Sequence, residues 1–154
     1  MAAIKWLVTP LVIGLIWLAY IVGVVDHYFA YFTLEGIETD QFVTILRLLF
    51  TIAALITIIC AYIWFYIGGR KDIAMNLAGA TTAWWVLFVI SLLTAVVTAS
   101  YYFLRMRSEE LGFNQELIMI SMLSGITFIP YYILTLFMSP LNVKYVVPGR
   151  KLIG

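Results

Sequence analysis

The sequence predicts an all-α integral membrane protein: a four-transmembrane-helix bundle with antiparallel neighbours and both termini on the cytoplasmic side. Three observations predict it. Hydrophobic residues make up 64% of the 154 residues and charged residues 11%, with a mean hydropathy of +1.05. A water-soluble domain is about half apolar and about a quarter charged, and one of this length has no interior large enough to hide the excess. Four long apolar runs carry no acid, base or histidine deep within them, and the Lys and Arg residues stand at their ends.

Crossing a bilayer core takes about 20 residues of helix. The first span is expected over about 4–32, with Thr9-Pro10 suited to an N-cap followed by proline at the first helical position. It is longer than a signal-peptide apolar core and is followed by bulky Tyr28, Phe29, Tyr31 and Phe32 rather than a small-x-small cleavage site, so it reads as a retained span. The second span is expected over 42–67, its charge-free core beginning after Arg47. Gly68-Gly69-Arg70-Lys71-Asp72 then makes a tight turn, which predicts an antiparallel hairpin with the third span, 73–104, capped by Asp72. The fourth is expected over 115–138. Asn114 is placed to cap it, Glu116 sits in the first turn where the helix dipole favours an anion, and Ser139-Pro140 ends it. Residues 139–154 form a cytoplasmic tail, and no soluble domain or internal repeat interrupts a single membrane domain over 1–154.

Orientation follows from the basic residues. Four spans bring Lys5, Arg70, Lys71, Lys144, Arg150 and Lys151 to one side and Arg47, Arg105 and Arg107 to the other, so the termini belong in the cytoplasm by six to three. Asp26, Glu35, Glu38, Asp40, Glu109, Glu110 and Glu116 make the opposite surface acidic. Tyr28, Tyr31, Tyr101 and Tyr102 at one edge, and Trp6, Tyr62, Trp64 and Tyr66 at the other, read as interfacial belts.

Helices in lipid associate through close packing of small residues. Candidate seams are Ala19 and Gly23 in the first span and Ala53, Thr57 and Ala61 in the second. In the third they are Ser91, Thr94, Ala95, Thr98 and Ala99, and in the fourth Ser121 and Gly125. Trp84 and Trp85 fall near mid-membrane and point about 100° apart, so one of them must face lipid or another subunit. Pro130 is expected to kink or locally open the fourth span, with Thr127 or neighbouring helices satisfying the freed carbonyl.

The polar residues inside the spans are Thr51, Thr57, Thr81, Thr82, Ser91, Thr94, Thr98, Ser121, Ser124 and Thr127. They could line a path for a small neutral solute, but hydroxyls that bond back to their own helix and pack as small residues explain them better. Proton and cation transporters carry ionisable groups at membrane depth. Their lack here argues against a proton-coupled pump. Arg47 is placed to hold an anionic lipid head group, to pair with Glu116 or Asp40, or to snorkel. Asp26 and His27, near Glu35, Glu38 and Asp40, are the one His-plus-carboxylate group and a weak candidate for direct Zn²⁺ or Cu²⁺ ligation. One histidine cannot supply a bis-histidine haem site, and the single cysteine, Cys60, excludes an internal disulfide. No cofactor is expected, and a net charge of +1 gives no sign of nucleic-acid binding.

The tail mixes Leu141, Val143, Tyr145, Val146 and Val147 with Lys144, Arg150 and Lys151. It reads either as an arm docking on a partner subunit or anionic lipid, or as a disordered end. Lipid or partner contacts are therefore assigned to Arg47, Trp84, Trp85, Lys144, Arg150 and Lys151. The leading expectation for function is an accessory, non-catalytic subunit of a larger membrane complex, for example a respiratory or oxidase assembly, packed against other integral membrane subunits and lipids. The alternative is a small homo-oligomeric facilitator or channel for a neutral solute. An outward-facing metal-binding protein is a weaker one.

Overall fold

Hydrocarbon offers no water to exposed backbone groups, so a spanning chain must pair its N–H and C=O groups within itself, as a helix does. The computed structural model describes residues 8, 11–20, 22–23, 39–69, 77–105, 113–139 and 146–153, and these are helical apart from Thr127, Ser139 and a turn over 146–149. The helices are α1 (Leu11–Tyr20), α2 (Thr39–Gly69), α3 (Leu77–Arg105), α4 (Phe113–Ile126), α5 (Phe128–Met138) and α6 (Arg150–Ile153). Three stretches are long and apolar enough to cross a membrane: Thr44–Gly68, Ala78–Leu104 and Met119–Phe137, the last running through α4 and α5. Leu11–Tyr20 is a shorter apolar helix, and the remainder of the expected first span is largely outside the described residues.

The α2–α3 pair is the backbone of the fold. On α3 the buried positions are Ala80, Trp84, Leu87, Ser91, Ala95, Thr98 and Tyr102, three or four residues apart. On α2 the matching set is Leu46, Phe50, Ala53, Thr57, Cys60 and Trp64. That alternation keeps one seam of each helix on its neighbour, as in knobs-into-holes packing. Two apolar clusters lie along the seam. One joins Leu46, Phe50 and Ala54 of α2 to Ala95 and Tyr102 of α3 and Met119, Leu123 and Ile126 of α4, with Trp17 and Leu18 of α1 against it. The other joins Cys60, Ala61, Trp64 and Phe65 to Ala80, Trp84 and Leu87, to Tyr131 and Leu136 of α5, and to Val146 and Val147. The start of α2 thus meets the end of α3, and α4–α5 runs back alongside α3.

The seam residues expected on α2 and α3 are buried or half-buried. Those on the other two helices do not form the close contacts expected of them. Ser121 is exposed, and a Cβ on Gly125 would meet nothing within 4 Å. α4 packs instead through bulky Met119, Leu123 and Ile126, which fill the space beside Phe50 and Tyr102. On α1, Ala19 and Gly23 are exposed, and the close approach is at Gly14, where a Cβ would lie 2.8 Å from Ile58 Cγ2. Ala19 is about 140° around the helix from Gly14, so the two cannot share a contact. Two supposed belt residues, Trp64 and Tyr102, are likewise inside the bundle.

The Pro130 disturbance appears as a break between α4 and α5. Proline clashes with the carbonyl four residues back, here that of Ile126, and the chain leaves helical geometry at the next residue, Thr127 (φ −115°, ψ −106°). The Thr127 hydroxyl donates to the Leu123 carbonyl at 2.6 Å, so it does not serve the carbonyl freed by the proline. α4 begins at Phe113, which places Asn114 inside the helix rather than at its cap. α5 ends at Met138, and Ser139 (φ −58°, ψ 138°) takes the extended geometry required before Pro140.

Candidate functional site

The polar chemistry of the described bundle is concentrated where α2 ends, α3 begins and α5 ends. Two indoles are wholly enclosed there, and an indole N–H in an apolar interior needs an acceptor. Trp84 Nε1 donates to Thr135 Oγ1 at 3.0 Å, and Trp64 Nε1 donates to Ser139 Oγ at 2.8 Å. Each hydroxyl spends its own proton on a carbonyl of its helix: Thr135 on Tyr132, at 3.1 Å, and Ser139 on Thr135. Back-bonding fixes the hydroxyl proton and turns a lone pair outward, so that a side chain of α5 becomes an oriented acceptor for a neighbouring helix. Tyr131 adds a third link, its OH donating to the Trp84 carbonyl at 3.3 Å.

The same device recurs mid-seam. Thr57 Oγ1 donates to the Ala53 carbonyl at 2.9 Å and lies 2.8 Å from Ser91 Oγ. With the threonine proton committed, Ser91 is the donor. The other back-bonding hydroxyls, Thr51, Thr82, Thr94, Thr98 and Ser124, donate to carbonyls three or four residues behind them, which is the role expected of them.

Around Trp84 the aromatic rings form one cluster. Phe88 stacks on it at 5.3 Å (13°), Tyr131 and Tyr132 lie at 5.8 and 6.1 Å, and Trp85 meets it edge-on at 5.0 Å (84°). Trp84 is 1% exposed and Trp85 47% exposed. Both were assigned to outside contacts; only Trp85 faces outward, because Trp84 points into the α2–α5 interface.

The last described segment folds onto this end of its own bundle. Val147 is 1% exposed and packs in the cluster of Trp64 and Tyr131. Tyr132 OH donates to the Pro148 carbonyl at 2.8 Å, Arg150 donates through Nη1 to the Leu136 carbonyl, and Arg150 N–H closes a turn on Val147 O at 3.2 Å. A cation at the C-terminal carbonyls of α5 also suits the helix dipole. Arg150 is thereby tied into its own chain, whereas Lys151 is exposed. Arg47 is exposed on α2, and Lys144, Asp26 and His27 lie outside the described residues. Among the described residues no group of three or more His, Cys, Asp or Glu is placed to hold a metal ion.

Sequence reasoning missed Thr135 and Ser139. The signal was the four-residue repeat Thr127, Tyr131, Thr135, Ser139, all of which are buried. Two shallow concavities open on the outer surface. An apolar groove of about 340 Å³ runs between α2 and α3, lined by Ile52, Ile56, Ile90, Leu93 and Val97 among others. A hollow of about 410 Å³ is bordered by Thr81, Thr82, Trp85 and Val89. Comparison with protein-family models, curated proteins and solved structures returns no match for this chain.

Proposed function

We propose that this chain is an accessory, non-catalytic subunit of a larger membrane complex, for example a respiratory or oxidase assembly. In this reading it is a four-span antiparallel bundle of the cell or inner membrane with both termini cytoplasmic. It packs against other integral membrane subunits and holds lipid at Arg47, Lys144 and Lys151. The observation that carries the reading is the contrast between a filled interior and an uncovered exterior. Phe50, Phe65, Trp64, Trp84, Tyr102 and Tyr131 plug the space between the helices, each no more than 1% exposed. The apolar window of α3, by comparison, is only 28% buried, against 44% for α2. Trp85, Val86, Val89, Leu93, Val96 and Val97 form that bare face. The interior hydroxyls in the described hydrogen bonds are spent on carbonyls, indoles and each other, which suits a scaffold better than a solute path.

Purified through a tag on this chain in a mild detergent, the protein is expected to bring down at least one further membrane polypeptide in fixed ratio. A stable lone chain would end the reading. The facilitator alternative needs a path between copies, since one copy is filled along its axis by the side chains above. Liposomes carrying the purified chain are expected to show no flux over empty liposomes for water, glycerol or urea.

A further inference from the structure

We infer that Val146–Ile153 is a strap: a separately detachable element that closes over the α5 end of the bundle and seals Trp64 and its serine acceptor from the interface. Three independent features support it. The first is burial, with Val146 and Val147 seated in the cluster of Trp64, Trp84 and Leu136. The second is a set of polar fastenings at one edge, Tyr132 to the Pro148 carbonyl and Arg150 to the Leu136 carbonyl. The third is the fold-back itself. Gly149 has φ +84°, a conformation open to glycine and rarely to other residues, and a Cβ there would lie 3.0 Å from Tyr132 OH. Glycine is thus needed twice, for the turn and for the closeness of the tyrosine.

The attachment is also of the kind that can let go. Two valines and a few hydrogen bonds hold the strap, while the helices beneath it are held along their full length. Arg150 is a guanidinium with one hydrogen bond among the described residues, and its Nε is buried there without a partner. Removing the strap would leave the α2–α3 seam intact and uncover only the indole end of the cluster.

The test uses the full chain in detergent with Cys60→Ala. Val147→Cys is labelled with a bulky polar maleimide and compared with Lys151→Cys, an exposed position on the same segment. A seated strap makes Val147→Cys react at least tenfold more slowly, and adding Gly149→Val brings its rate to within threefold of Lys151→Cys. Equal rates without the glycine substitution, or no response to it, would overturn the proposal. A second measurement needs no cysteine. Trypsin should cleave after Arg150 at least fivefold faster in Gly149→Val than in the unmodified chain, with helicity unchanged. Equal cleavage would also overturn it.

Discussion

The two halves of the bundle share α2 and α3 and hold their tryptophans in different ways. Beside the α2–α3 junction, Trp64 and Trp84 each donate to a hydroxyl of the α5 segment. At the opposite end, the core of Leu46, Phe50, Met119 and Leu123 is apolar, and the indole nitrogen of Trp17 is buried without a hydrogen-bond partner among the described residues. Lipid tails are as apolar as leucine, so burial does little to choose between bundle and bilayer. Packing and hydrogen bonds decide. Packing tolerates many arrangements of similar volume, whereas an indole aimed at one oxygen fixes rotation and register. The junction half is therefore the specified half, and the opposite half is held by shape.

That contrast can be broken by substitution, with stability read from reversible unfolding in mixed micelles. Trp84→Ala should cost most, about 3 kcal/mol, from a residual cavity at roughly 24 cal/mol per Å³ together with an orphaned threonine hydroxyl. Phe50→Ala, its counterpart in the other half, opens a smaller cavity and should cost about 2 kcal/mol with no polar component. Thr135→Val keeps the volume and removes the acceptor of Trp84, for a loss of about 1 kcal/mol, within the range of interhelical hydrogen bonds in membranes. Trp17→Phe should be neutral or slightly stabilising, since it deletes a donor that is unpaired among the described residues. If Trp17→Phe costs as much as Thr135→Val, the distinction between the halves fails. Smallest of all, Thr51→Val should change stability by less than about 0.3 kcal/mol, because its hydroxyl bonds only its own helix.

Most of the helical layout was legible in the sequence. The span expected at 42–67 became Thr39–Gly69, which takes Gly68 and Gly69 of the expected turn into α2, and the described part of the span expected at 73–104 is helical in Leu77–Arg105, because runs of apolar residues between charges are what a bilayer selects. The fourth span was legible in extent and in its fault, since proline must disrupt the carbonyl four residues behind it. Faces were less legible. Small residues three or four apart show where helices can approach, but Ser121 and Gly125 show that a permitted approach is not always used. Least legible were contacts between residues far apart in the chain. Trp64 with Ser139, and Tyr132 with Pro148, depend on how α5 leans across the α2–α3 pair, which no local pattern reports.

From Tyr131 through Thr135 to Ser139 the buried row advances four residues at a time along α5 and its cap, on a helix that turns in about 3.6. Each step therefore rotates the row by about 40°. Tyr131 and Thr135 meet Trp84 of α3, and by Ser139 the row has swung round to Trp64 of α2. One stripe of side chains thus stitches α5 first to one neighbour and then to the other, and a single-residue insertion between Thr135 and Ser139 would unpick the second stitch while leaving the first.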